Sequence, residues 1–124
     1  MIDSRTAHRT GPLRIGVRRP LPGVVVLEVA GDVDLDTAPG LRKVLRRQIA
    51  AQPRVIVLDL HLVRFLCVSG VSALLTAQEL APRLGVVLRL ARPARPVTRP
   101  LAVLRLDVGF DMRHTLAGAI TDPV

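Results

Sequence analysis

The spacing of apolar and polar positions changes several times along the chain, and each change marks an element. In LRIGVR, Leu13, Ile15 and Val17 alternate with polar or small residues, which predicts a half-buried edge strand. The prolines and glycine of RPLPG at 19–23 predict a turn. VVVLEVAG at 24–31 follows as a second strand, hairpin-paired to the first. The period then shifts from two to that of a helix. In DVDLDTAPGLRKVLRRQIAAQP, Leu41, Val44, Leu45 and Ile49 share one face, and Arg42, Lys43, Arg46 and Arg47 share the other. Asp36 or Thr37 suits the N-cap, and Pro39 suits the first turn, where no amide donor is needed. Pro53 marks the break before the next strand.

RVIVLDL at 54–60 is a near-continuous apolar run, the pattern of a central strand buried on both faces. In FLCVSGVSALL at 65–75, a strand end feeds a helix running from about 70 to 82 through a short loop of Cys, Ser and Gly. Pro82 and Gly85 close that helix. VVLRLA at 86–91 is a further strand. RPARPVTRPLAVLRL reads as a proline-rich turn and a short helix with Val97, Leu101 and Leu104 inward. DVGFDMRHTLAGAI supplies a last short strand or turn and a helix around 114–120. Residues 1–11 are polar and aperiodic and read as a flexible N-terminal tail. The order predicts one α/β domain over residues 12–121. An N-terminal hairpin opens a mixed central sheet, crossovers impose parallel pairing in its middle, and the helices pack on it.

Composition narrows the function. The 124 residues suit one domain, and the 49% hydrophobic content, nearly all aliphatic, suffices for a core. Phe65 and Phe110 are the only aromatic residues, which argues against binding single strands by base stacking. The net charge of +8 rests almost wholly on arginine, since Lys43 is the one lysine. The arginines are scattered, so no direct nucleic-acid partner is expected. Residues 1–20 contain no continuous apolar stretch and the longest apolar runs are strand-length. A cytoplasmic domain without a membrane span is the expectation.

Candidate chemistry is sparse. Cys67 is the only cysteine, which rules out an internal disulfide. His8, His61 and His114 are far apart and follow no ligand spacing, so exposed positions suit them. Asp32, Asp34 and Asp36 alternate without a glycine-bearing ion loop, so capping and turn roles suit them better than a cation. No nucleophile–base pair, phosphate-cradling loop or metal set is present. The expectation is a non-enzyme without cofactor or metal.

VVVLEVAGDVDLDTAPGLRKVL resembles the strand, Gly-acid-apolar-Asp and helix signature of STAS domains, and most nearly that of the bacterial anti-sigma factor antagonists. Gly31 and Asp34 match the motif, with Asp32 where the family often has Glu. VIVLDLHLVRFLCVSGVSALL resembles the family's central strand, loop and helix, and LDVGF at 106–110 is similar to its late Leu-Asp-x-x-Phe segment. The resemblance implies a STAS-type single domain that binds an anti-sigma factor, usually a serine kinase-like ATPase, and so frees a sigma factor to regulate transcription. It also implies a switch, in which the kinase phosphorylates a serine in an Asp-Ser-Ser-Gly loop and the phosphate ends binding.

This chain departs from the family at that loop, which reads Cys67-Val68-Ser69-Gly70. Val68 stands where the phosphorylated serine is found and makes the phosphosite degenerate. Ser69 is open to two readings, a helix N-cap or a displaced phosphosite favoured by the helix N-terminus. Cys67 is either a small apolar residue ending the strand or a redox-sensitive thiol. On the resemblance, the partner-binding set is Asp34, Leu66, Cys67, Val68, Ser69, Gly70 and Ser72. The protein is then an antagonist without the usual phospho-switch, monomeric or weakly dimeric. The alternative is a degenerate STAS domain serving as an interaction subunit of a transport or signalling complex.

Overall fold

The computed structural model describes residues 5–10, as backbone, and residues 12–124. Strands β2 (Leu13–Leu21) and β3 (Val24–Val33) form the expected antiparallel hairpin. Its turn is confined to Pro22 and Gly23, narrower than the 19–23 segment suggests. Gly23 has a φ of +76°, the value required after proline at the second central position of such a turn. A register shift between Arg18 and Leu21 takes up Pro20, which donates no ladder hydrogen bond.

The N-terminal segment corrects the sequence reading. Residues 5–10, expected in a flexible tail, form strand β1 (Arg5–Thr10), antiparallel to β2. β2 is therefore flanked on both sides rather than being the sheet edge. The pairing uses the backbone donors and acceptors that β2 would otherwise leave open. Such pairing needs no apolar alternation, so the segment carries no strand signal. Residues 1–4 and 11, and the side chain of His8, lie outside the described residues. The start of β2 also passes close to β3. Gly31 has a φ of +113°, and a Cβ there would lie 2.2 Å from the carbonyl oxygen of Pro12. Only glycine permits that approach.

From β3 onward the sheet is parallel, through β4 (Val55–Leu66), β5 (Val87–Ala91) and β6 (Asp111–Arg113). Among the described residues, the six strands lie side by side in chain order. The crossovers are α1 (Ala38–Ala50), α2 (Val68–Arg83) and α3 (Arg95–Val103). Each steps the same way across the sheet, and right-handed crossovers then stack all three on one face. The core forms there. Leu27, Ile56, Leu58, Leu60 and Leu90 of the sheet meet Leu41, Leu45 and Ile49 of α1, Leu74 of α2 and Leu101 of α3. Val97 is buried as expected, but Leu104 is exposed, because α3 ends at Val103 and Leu104 only caps it.

The opposite face is covered only in part. The short α4 (Leu116–Thr121) lays Leu116, Ala119 and Ile120 over Val24, Val26, Val55, Val57 and Ala91. β4 is thus buried on both faces from Val55 to Leu60, as its continuous apolar run implies. The rest of this face carries matched charges. Arg18 Nε lies 2.5 Å from Glu28. The buried Asp59 accepts from Arg92 at 3.1 and 2.6 Å, and His61 Nδ1 lies 3.3 Å from it. The hydrogen bond to Asp59 raises the Arg92 pKa above its ordinary value. Arg89 is 1% exposed and donates to the carbonyls of Ala119, Asp122 and Pro123 at 2.7–3.0 Å. It thereby satisfies acceptors at the end of α4 that the helix cannot.

Candidate functional site

The site forms where β4 gives way to α2. β4 carries two bulges against β3: Glu28 and Ala30 face Asp59 and Leu62, and Gly31 and Asp32 face Val63 and Phe65. Each bulge inserts one residue and resets the alternation. Inward positions therefore run Ile56, Leu58, Leu60, then Val63, then Leu66. Leu62 and Phe65 turn outward, and Phe65 is left 51% exposed.

After Leu66 the backbone is pinned before it coils. The amide of Cys67 donates to the carbonyl of Val33 at 2.9 Å, and Cys67 is extended, with ψ 174°. Its own carbonyl accepts from Val71 at 3.0 Å, so the helix starts at Val68. This corrects the reading of Ser69 as N-cap. Cys67 holds that place without a side-chain hydrogen bond, and Ser69 is half-buried within the first turn. The helix begins two residues earlier than expected because the strand's last hydrogen bond sets where coiling can begin.

The remaining expected residues divide between surface and support. Val68 is 74% exposed, and Ser72, one turn along the same helix, is exposed as well. Cys67 is half-buried. Leu66 and Gly70 are buried and present little to a partner. A Cβ on Gly70 would fall 2.5 Å from Leu66 Cδ1 and 2.7 Å from Val33 Cγ1. The glycine lets α2 sit directly on the strand ends. Asp34 lies beyond Val33, and its Oδ1 accepts from the amides of Asp36 and Thr37, each at 3.0 Å. Its carboxylate therefore shapes the turn into α1. Thr37 is the N-cap, yet its hydroxyl points backward, accepting from the Asp34 amide at 2.9 Å and donating to the Asp32 carbonyl at 2.8 Å. Asp32 itself lies 3.4 Å from Arg64. Among the described residues, no three His, Cys, Asp or Glu side chains converge on a point that could hold a metal ion.

Other parts of this end were not singled out from the sequence. Leu35, in the turn beside the end of β4, is exposed. Between β4 and α3 an open cleft of about 480 Å³ is lined by Phe65, Leu66, Pro96, Pro100 and Val103, with Arg64, Arg95 and Arg99 around it. The spacing of Pro96, Pro100 and Val103 at helical intervals was the available signal. The outward turn of Phe65 had none, because it depends on the bulges.

Comparison with known proteins gives this arrangement a context. The family model described as the STAS domain matches residues 18–119. The chain is 33% identical over 102 residues to the anti-sigma-F factor antagonist RsfB of Mycobacterium tuberculosis, covering 80% of each sequence. Its fold matches the crystal structure of an anti-sigma factor antagonist from Mycobacterium paratuberculosis with a TM-score of 0.68 at 26% identity, over 95% of this chain and 91% of that one. It also matches the Bacillus cell fate determinant SpoIIAA in its phosphorylated form, with a TM-score of 0.64 at 15% identity, over 81% and 91% of the two chains. None of the described helices is long and apolar enough to cross a membrane.

Proposed function

The chain belongs to the STAS domain family, among its anti-sigma factor antagonists, and from that membership we propose that it docks the β4–α2 junction onto a kinase-like anti-sigma factor without the usual phosphoserine off-switch. One observation carries the reading. The most exposed residue at the start of α2 is Val68, which has no hydroxyl. A phosphate at this place would sit at the positive end of a 16-residue helix and add about −1.5 to −2 charge to the docking surface. Val68 cannot accept one. Ser69, the alternative acceptor, is half-buried in the first turn and so less open to a kinase. The protein acts by binding rather than by catalysis, in the cytoplasm where its partner works. Its binding is then controlled by how much of it is made, or through the half-buried thiol of Cys67.

The test has two arms. Incubation with the cognate anti-sigma kinase and ATP leaves the mass unchanged, and C67D/V68S gains one phosphate. Val68→Asp, which places charge on the exposed position, weakens binding at least tenfold, about 1.4 kcal/mol. Arg47→Ala, on the exposed face of α1, leaves binding unchanged. Stoichiometric phosphate on Ser69 of the native protein refutes the absence of the switch. Full affinity in Val68→Asp refutes the docking surface.

A further inference from the structure

The cleft between β4 and α3 is built differently from the rest of the surface. Phe65 and Val103 face solvent there at 51% and 71% exposure. α3 supplies the other wall. Pro96 lies in its first turn and Pro100 one turn later, and with Val103 they form a single apolar stripe along the cleft wall. Beside that stripe stand Arg95 and Arg99, also one turn apart and both exposed. Among the described residues no carboxylate lies within ion-pair range of either. The contrast is with the opposite sheet face, where Arg92 and Arg113 meet Asp59 and Asp111 within the molecule. The cleft is also continuous with the docking surface. Leu66 forms part of its lining, and the next two residues are Cys67 and Val68.

An apolar trough edged by unmatched guanidinium groups selects its occupant. A basic segment is repelled, and a purely apolar one leaves the arginines unused. We propose that the cleft receives a segment of the anti-sigma partner in which one large apolar side chain is flanked by carboxylates. The apolar side chain packs between Phe65 and Val103, while Arg95 and Arg99 take the carboxylates in forked hydrogen bonds. The proposal rests on the antagonist reading above and adds a second anchor to it. Such an anchor compensates for the small area that Val68 and Ser72 alone present, since affinity concentrates in few well-packed positions.

The experiment is calorimetric titration of a purified kinase-like anti-sigma factor from the same organism into three proteins: the native chain, R95E/R99E, and R46E/R47E on the exposed face of α1. The expected result is at least a tenfold loss for R95E/R99E, a steeper salt dependence for the native chain than for that variant, and no loss for R46E/R47E. A neutral pair, V103S/F65S, serves as a second probe and loses affinity without the change in salt dependence. Native-like binding by R95E/R99E overturns the cleft proposal and leaves the antagonist reading standing. Loss in both charge-reversal variants alike shows a diffuse field and also overturns it. A native chain that dimerises in sedimentation through a surface that R95E/R99E abolishes makes a second copy the occupant, which overturns it as well. Absence of binding by the native chain overturns the antagonist reading itself, and the second anchor with it.

Discussion

Gly70→Ala adds one methyl group where α2 meets the sheet. In an exposed helix the change stabilises by about 0.5–1 kcal/mol. Here the added carbon falls 2.5 Å from Leu66 Cδ1 and 2.7 Å from Val33 Cγ1, with Val33 Cβ at 3.3 Å. The optimum between such carbons is about 3.5–4.0 Å, so the first two contacts are short by roughly an ångström and the third by less. Leu66 can rotate its terminal methyl away. Val33 cannot, because its β-branch holds χ1 and its neighbours are core. Overpacking of this kind costs about 1–3 kcal/mol. Taking the middle of that range, about 2 kcal/mol, the helical gain leaves a net loss of about 1–1.5 kcal/mol. For a domain of this size the melting temperature falls by about 2–8 °C, read by circular dichroism. Because the strain is relieved by lifting the first turn of α2, Val68 moves with it and partner affinity falls more than stability alone accounts for. Gly85→Ala is the comparison: its φ is +72° but no atom lies within 4 Å, so its effect is conformational and far from the junction. An unchanged or higher melting temperature in Gly70→Ala would falsify the packing argument.

Further outcomes follow from the buried strands and the charge pairs. Val57→Asp buries a carboxylate between α4 and the sheet, beside Arg89, whose guanidinium is already committed to the carbonyls of Ala119, Asp122 and Pro123, and lowers stability by several kcal/mol; a melt within two degrees or so of the native one contradicts the placement of β4. Arg89→Met leaves the carbonyls of Ala119, Asp122 and Pro123 without their donor, and amide exchange of α4 quickens ahead of the rest of the chain; uniform exchange refutes the tether. Arg113, hydrogen-bonded to Asp111, holds that carboxyl below its usual range. A depressed folded pKa stabilises above the unfolded value of about 3.9 and loses that contribution as pH falls through the folded one. Asp111→Asn therefore lowers stability near pH 7, by less than about 1 kcal/mol for so exposed a pair, and the difference closes in urea titrations below about pH 3.9. A gap that persists in acid assigns the effect to packing instead.

What could be read from the sequence was what periodicity carries. The shift to a helical period at 38–50 located α1 and its buried Leu41, Leu45 and Ile49. The apolar run at 54–60 located the central strand. Both signals come from side chains partitioning between core and solvent. The misreadings arose where backbone hydrogen bonding decides. β1 is held by its pairing with β2 and has no apolar pattern. The start of α2 is set by the bond from Cys67 to Val33 and not by a capping serine. The β4–α2 junction is singled out in the sequence by the resemblance of the Cys67-Val68-Ser69-Gly70 loop to the family's, but the cleft beside it is not. Two bulges change the alternation in β4, and the letters HLVRFL do not show them. Asp59 and Arg89, placed inside apolar strands, were the legible hint of the ionic second face, since buried charges require partners.

The order of strands in the sheet has a consequence for how the chain assembles. Because they lie side by side in the order of synthesis, every strand leaving the ribosome finds its neighbour already made. The hairpin needs only a two-residue reversal, and each later strand needs one helix between itself and a completed edge. No strand has to be inserted between two others, and no open slot waits for a distant segment. The sheet grows in one direction, N-terminal units first. The final step is β6 with α4, whose carbonyls close over Arg89. Until that happens, Arg89 and the valines around it stay wet, so vectorial growth ends in a step that seals the last exposed face.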